Sequence, residues 1–325
     1  MPKPVEWLSF TDVPGVSVGH WSDFDGMTGC TVVLPTAGAG IGGVDVRGYA
    51  AATQMTDFLD PRVPNEGVNA VVLTGGSSFG LAACVGVATC LEERGIGALY
   101  RGNVIPLVAG AVVYDLSVGG PKARPGPDAG YAACAAALRG EPLQEGSVGV
   151  GTGATVGKLF GMERCMKGGV GGAAVRLPDG TTVGALVVAN PVGDVFDEAG
   201  RIIAGARADD GGFIDSSAEV LTGSPPQPFA GGNTTLAVVA TDAQLSQAEC
   251  QRIAAQAHDG LALAIRPTHT TYDGDVAFAL STGDRECDAF LVGVAAVAAV
   301  RQAILRSVRL SRGLDGIPGL ADRGR

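Results

Sequence analysis

Histidine is almost missing from this 325-residue chain: His20, His258 and His269 are all it has. A nucleophile that relies on an imidazole base therefore has few candidates, none of the three stands in a setting that marks it as one, and no G-x-S-x-G elbow occurs. Basic residues are also in deficit, 23 against 33 acidic ones for a formal charge of −10. That balance argues against nucleic acid or an anionic membrane as the main partner and favours a small-molecule or peptide ligand. The seven cysteines are odd in number, scattered and without a C-x-x-C pair, so buried reduced thiols are expected. Adding the histidines gives no cluster with metal-ligand spacing, and neither a metal nor a cofactor is expected. No uninterrupted apolar stretch reaches bilayer length, and the start, Pro2-Lys3-Pro4, has no apolar signal region, which points to the cytoplasm. No tandem repeat or low-complexity tract appears.

What is abundant is apolar and small. Hydrophobic residues make up 46% of the chain and glycine reaches 51, enough for a large core with close approaches and sharp turns. The length suits one large α/β domain, although two remain possible. Apolar runs predict strands at Thr31–Leu34, Ala70–Leu73, Val112–Tyr114, Gly172–Leu177, Thr182–Val188, Leu236–Ala240 and Val276–Leu280. Leu177-Pro178-Asp179-Gly180 is a turn by its own chemistry, so the strands on either side of it should form a hairpin. Helices are predicted at Phe79–Glu93, Asp128–Leu138, Ser246–Leu263 and Cys287–Val308, the third opened by a Ser246/Glu249 capping box. The last is apolar around much of its circumference and should be covered on more than one side. A layered α/β sandwich with helices outside a β core follows.

Two glycine motifs suggest nucleotides, and both weaken on inspection. Gly38-Ala39-Gly40-Ile41-Gly42-Gly43 fits G-x-G-x-x-G, the basis for an NAD-binding oxidoreductase reading, but Val44-Asp45-Val46-Arg47 follows where a helix N-terminus is needed. Gly151 to Lys158 resembles a P-loop but has Thr152 at its first glycine position and Leu159 where magnesium needs a hydroxyl. Ser77 and Ser78, between a strand and a helix, are expected to cap that helix. The stretch from Ala208 to Gly232 has the composition of a linker and leads straight into a strand.

At the end of that linker stands Gly231-Gly232-Asn233-Thr234-Thr235. As a pentapeptide it reads as a turn entering a strand. It also permits the Thr234 hydroxyl to attack the Asn233 carbonyl and release a new N-terminus. The free α-amine, with an ordinary pKa of about 7.7–8.0, can then act as base for its own hydroxyl, so no histidine is required.

Ordered segments favour the second reading: Val13-Pro14-Gly15-Val16-Ser17-Val18-Gly19, Leu73 to Leu81, Val113-Tyr114-Asp115, Gly157-Lys158, Ala189-Asn190-Pro191-Val192-Gly193, Gly232 to Thr235 and Asp273 to Phe278. Together they resemble the P1 peptidase family of self-processing L-aminopeptidase D-amidase/D-esterases, β-peptidyl aminopeptidases and nylon-oligomer hydrolases, from about Asp12 to about Val308. The resemblance implies a four-layer αββα sandwich, similar to the N-terminal-nucleophile hydrolases but with different connectivity. It also implies a single domain, 1–325, cut into a large subunit, 1–233, and a small one, 234–325, with several such units associating as a homo-oligomer. By position Thr234 is the nucleophile and Asn233–Thr234 the cleaved bond. Asp273 and Asp275 match the nylon-oligomer branch, and on a strand their spacing turns both to one face, within reach of Thr234. Lys158 matches a lysine near the nucleophile, while Asn190 and Tyr114 match positions around the substrate carbonyl, where side-chain donors stabilise developing charge. The backbone of Gly75 and Gly76 is a further candidate for lining the pocket. The expected activity is hydrolysis of aminoacyl amides or short peptides, with nylon-oligomer hydrolysis as the alternative. Acyl transfer, as in the threonine-nucleophile acetyltransferases of arginine synthesis, shares a similar logic.

Overall fold

Alternation along the strands sorts their side chains into three apolar layers, and the layers define the architecture. The computed structural model describes residues 5–65, 67–120, 122–223 and 232–322, and within them two five-stranded sheets face each other. Numbering only the strands of these sheets, the first has the order β1 (Val16–Asp23), β2 (Thr28–Pro35), β5 (Ala70–Thr74), β6 (Val108–Val112) and β4 (Thr53–Gln54). The second has the order β7 (Gly169–Arg176), β8 (Thr182–Asn190), β9 (Thr234–Ala243), β10 (Val276–Arg285) and β3 (Ile41–Val46).

Val33, Val71 and Leu73 of the first sheet meet Leu186, Leu236 and Phe278 of the second in the layer between them. The alternate residues turn outward, Val32, Leu34 and Val72 onto helices α1 (Ala82–Glu92) and α2 (Pro127–Leu138). On the other side, beyond the short α3 (Ser216–Leu221), Val187, Ala237, Val239 and Ala277 pack on α4 (Gln247–Ala264) and α5 (Ala289–Arg309). Period-two side chains on strands apolar on both faces leave a β core no alternative to helical cover on each side. The four-layer αββα arrangement is the one the family resemblance implies.

The Pro178-Asp179-Gly180 turn closes the expected hairpin, with Arg176 opposite Thr182 and Gly169 opposite Ala189. The capping box forms as expected: Ser246 N–H donates to Glu249 at 2.8 Å and Glu249 N–H to Ser246 Oγ at 3.3 Å.

Other expectations require correction, most of them because of glycine. Val112–Tyr114 is displaced: β6 ends at Val112 and starts at Val108, across Gly110, where a Cβ would sit 2.7 Å from Cys84 Sγ of α1. β1 and β3 were not expected at all. A Cβ on Gly19 of β1 would meet the backbone of α2 at 2.2 Å, and one on Gly43 of β3 the backbone of α4 at 2.2 Å. These glycines mark close helix–strand packing, not turns. The G-x-G-x-x-G motif therefore runs into an edge strand, and no helix follows to receive a phosphate.

Ser77 and Ser78 do not cap α1; they open a 3₁₀ turn, Ser77–Leu81, whose N-cap is Gly76. Helix α5 is covered by the second sheet and, along its flank, by α4, as expected, with Val292, Val300 and Ile304 buried and Phe290 and Val294 exposed on the remaining face. At 21 residues it is long and apolar enough, by length and composition, to cross a bilayer, although Arg301 interrupts its apolar run, and half of that stretch is buried inside the fold. Six cysteines are buried and Cys287 is half-buried, all with free thiols. The supposed linker contains α3, and its residues 224–231 lie outside the described residues.

Candidate active site

Strand register assembles the site. β8 and β9 run antiparallel with Asn190 opposite Thr234, so the last residue of one strand faces the first of the next. β9 and β10 run parallel from Leu236 opposite Val276, and the pairing extends back to a bridge between Asn233 and Asp273. Asp273-Gly274-Asp275 thus lies alongside Asn233-Thr234-Thr235 at one end of the second sheet.

At the centre, the Thr234 hydroxyl donates to the carbonyl oxygen of Asn233 at 2.5 Å. That oxygen also accepts the backbone N–H of Gly274 at 2.8 Å. A Cβ on Gly274 would stand 2.9 Å from Thr234 Oγ1, so the residue beside the hydroxyl must be small. Asn233 and Thr234 are both buried, and Asn233 Nδ2 donates to the Tyr272 carbonyl at 3.2 Å.

The two carboxylates flank this centre without bonding to the Thr234 hydroxyl. Asp275 Oδ1 accepts Thr235 N–H at 2.6 Å. Asp273 accepts Val192 N–H at 3.1 Å through Oδ1 and, through Oδ2, the N–H and hydroxyl of Thr270 at 3.1 and 2.5 Å. Both carboxylates precede β10 instead of lying in it, so the same-face expectation for a strand does not apply. Burial, and then the neighbouring Asp275, raise the pKa of Asp273 above the ordinary carboxylate range.

Lys158 is fully buried, and its ammonium donates to the backbone oxygen and Oδ1 of Asn190 at 3.0 and 2.9 Å. Burial lowers its pKa to about 7, against a smaller opposing pull from Cys165, Asp273 and Asp115. Thr155 N–H makes a further bond to Asn190 Oδ1 at 3.0 Å. The oxygen side of the Asn190 amide is thereby fixed, leaving Nδ2 directed at the carbonyl of Tyr114, 3.3 Å away, and near that of Gly232 at 3.5 Å. The Tyr114 ring packs on Gly232, whose Cβ would come within 2.6 Å of it, at a φ of +123° that also favours glycine. A cavity of about 10 Å³ lined by Tyr114, Thr155, Lys158, Met162 and Gly232 has room for about one water. A cleft of about 330 Å³ elsewhere, between Leu34, Gly38, Leu91 and Leu138, holds none of these residues.

Thr234, Asn233, Asp273, Asp275, Lys158, Asn190 and Tyr114 thus come together from separate parts of the chain. Gly75 and Gly76 do not line the pocket. Gly75 N–H donates to the Gly29 carbonyl at 2.9 Å, and Gly76 N–H to Asp115 at 2.7 Å, whose carboxylate also accepts the Thr28 hydroxyl at 2.6 Å. Sequence reasoning missed Gly274, Thr155, Thr270 and His269; the ring Nδ1 of His269 lies 2.8 Å from Asp275 Oδ2. Only Gly274 carried a signal, its place between two acids. Among the described residues no group of histidine, cysteine and acidic side chains could hold a metal ion.

The model of peptidase family S58 matches residues 9–321. The chain belongs to that family. This S58 peptidase is 43% identical to an uncharacterized aminopeptidase of Mycobacterium leprae, over 95% of this chain and 92% of the relative. It is 36% identical to a 6-aminohexanoate-oligomer endohydrolase of Kocuria sp., over 86% of this chain and 76% of the relative. Among solved structures it is similar to a β-aminopeptidase of Burkholderia sp., with a TM-score of 0.71, 26% identity and coverage of 98% and 91% of the two chains. The L-aminopeptidase D-Ala-esterase/amidase of Ochrobactrum anthropi, described as a variant of the Ntn-hydrolase fold, superposes with a TM-score of 0.68 at 22% identity, covering 95% and 88%. The chain is accordingly a hydrolase of amide bonds of the aminopeptidase type, on an Ntn-like fold.

Proposed function

We propose that this S58 peptidase cuts its own Asn233–Thr234 bond and uses the freed Thr234 as the nucleophile of an aminopeptidase. The supporting observation is the Thr234 hydroxyl held 2.5 Å from the Asn233 oxygen, on which Gly274 N–H also converges. Two donors on one carbonyl oxygen polarise its carbon and hold the attacking hydroxyl beside it. Attack forms the Oγ1–carbon bond, the carbon–nitrogen bond breaks, and the nitrogen takes up a proton, leaving an ester. Water then splits that ester into the Asn233 carboxylate and free Thr234. The products are a large subunit, 1–233, and a small one, 234–325.

In the processed enzyme the Thr234 amine, with an ordinary pKa of about 7.7–8.0, serves as base for its hydroxyl. A substrate acyl group takes the place of Asn233, with its carbonyl oxygen on Gly274 N–H. Asn190, fixed by Lys158 and Thr155, offers its amide N–H to the same region, and Tyr114 closes the acyl side. Asp273, held beside this centre by Val192 and Thr270, is the acid proposed to serve the leaving amine. Unblocked aminoacyl amides and short peptides are the proposed substrates, in line with the aminopeptidase names of the relatives that match at 42–43% identity.

A second reading, 6-aminohexanoate-oligomer hydrolysis, is favoured by Thr234 with Asp273 and Asp275 and by the Kocuria relative. Turnover of 6-aminohexanoate oligomers beside aminoacyl p-nitroanilides separates the two. Association into a homo-oligomer is part of the proposal, supported by exposed apolar side chains such as Leu99, Tyr100 and Phe290, and a cytoplasmic setting goes with it. The test of the nucleophile is Thr234→Ala: it should remain one polypeptide and hydrolyse no aminoacyl p-nitroanilide. An active Thr234→Ala enzyme would overturn the proposal.

A further inference from the structure

His269 lies just behind the carboxylate that flanks the nucleophile. Its backbone adopts a left-handed φ of +55°, a conformation that histidine, asparagine and aspartate enter more readily than most residues. That turn directs the ring Nδ1 and the backbone N–H of His269 to the same oxygen, Asp275 Oδ2, at 2.8 and 3.1 Å, with the Thr268 hydroxyl at 3.2 Å. A carboxylate only accepts, so the Nδ1 of His269 carries the proton in this contact. The other oxygen of Asp275 accepts Thr235 N–H at 2.6 Å, one residue from the Thr234 hydroxyl. Asp275 thus links the His269 turn to the start of β9.

The ring is itself held from behind. His258 of α4 meets it edge to face, with centroids 4.8 Å apart, and His258 Nε2 lies 3.1 Å from the Asp45 carbonyl and 3.3 Å from its carboxylate on β3. A carbonyl also only accepts, which puts the His258 proton on Nε2. The side chain of His269 is 20% exposed and that of Asp275 is 1% exposed, so water competes little for this contact.

We infer that His269 is a positioning residue: its Nδ1–H fixes the Asp275 carboxylate on Thr235 N–H and thereby holds Thr234 in attacking geometry. The inference rests on Thr234 being the nucleophile. Without that donor, Asp275 loses its shortest Oδ2 contact and the start of β9 loses its lateral anchor. A displacement of 1 Å at a reacting group lowers rates about 100-fold.

Asparagine and aspartate both tolerate the left-handed backbone at position 269, but asparagine presents an N–H to Asp275 and aspartate an oxygen. His269→Asn should therefore keep the rates of self-cleavage and of aminoacyl p-nitroanilide hydrolysis within about threefold of the parent. His269→Asp should lower self-cleavage and kcat about 100-fold with KM nearly unchanged. If His269→Asp fails to fold, as judged by its thermal midpoint, His269→Ala takes its place with the same expectation. In an Asp275→Asn background the loss at position 269 should largely disappear, because the partner it acts through has changed. Parent-like rates in His269→Asp, equal losses in His269→Asn and His269→Asp, or full additivity with Asp275→Asn would each overturn the inference. Thr234→Ala, measured in parallel, separates the two claims: activity there sinks the nucleophile, whereas an inactive Thr234→Ala beside a normal His269→Asp sinks only the positioning role.

Discussion

At Thr234 the hydroxyl proposed to attack and the carbonyl it faces belong to adjacent residues, so chemistry at this point is sensitive to single atoms. Gly274 donates its N–H to the carbonyl and leaves space for the hydroxyl, 2.9 Å from where a Cβ would stand. Gly274→Ala should slow self-cleavage about 100-fold, the usual effect of disturbing one oxyanion donor, as followed by band conversion on denaturing gels. Lys158→Met should remove two of the bonds that orient Asn190 and lower kcat on aminoacyl p-nitroanilides to a similar degree. Lys158→Arg should not rescue it, since guanidinium stays charged and its planar fork does not fit an ammonium site. Of these residues, Thr234, Lys158, Asn190, Tyr114 and the two acids were legible through the family resemblance. Thr155 and His269 were not, because a backbone donor leaves no trace in residue type and a histidine six positions before an acid has no fixed geometry until the turn between them is known.

For the elements, register carries the account. Asn190 opposite Thr234 and Asp273 opposite Asn233 follow from how β8, β9 and β10 pair, and pairing between distant strands cannot be read from one sequence. The strands themselves were legible where β-branched residues ran together, as in β9, and illegible where glycine interrupted them, as in β1 and β3. In those two strands glycine admits a helix backbone, a packing role that leaves no strand pattern in the sequence. Helix ends were easier, because capping is local. Ser246→Ala should cost about 1 kcal/mol of stability through the lost α4 cap, seen as a lower urea midpoint, and leave kcat unchanged because α4 begins away from the site.

Across the whole molecule, cleavage would divide the second sheet without dismantling it. The segment before Thr234 supplies β3, β7 and β8, the segment after it β9 and β10, and each of the latter pairs with a strand from the former. The two subunits should therefore co-elute in native gel filtration and separate only in denaturant. Stability should also carry the mark of two buried lysines. Lys158 and Lys167, the second held by the carbonyls of Gly151, Thr152 and Ala154, fall from an ordinary 10.5 to about 7, with burial the leading cause for both. Between those values the unfolded chain binds more protons than the folded one, so stability should rise with pH from about 7 towards 10.5, and this contribution should level off below 7. Urea midpoints across that window check the slope, which Lys167→Met should reduce. The central claim, self-cleavage at Asn233–Thr234, is tested most directly by denaturing mass spectrometry of the purified chain after prolonged incubation. Two fragments, the smaller beginning at Thr234 and absent from Thr234→Ala, are predicted; a single intact 325-residue polypeptide would contradict the account.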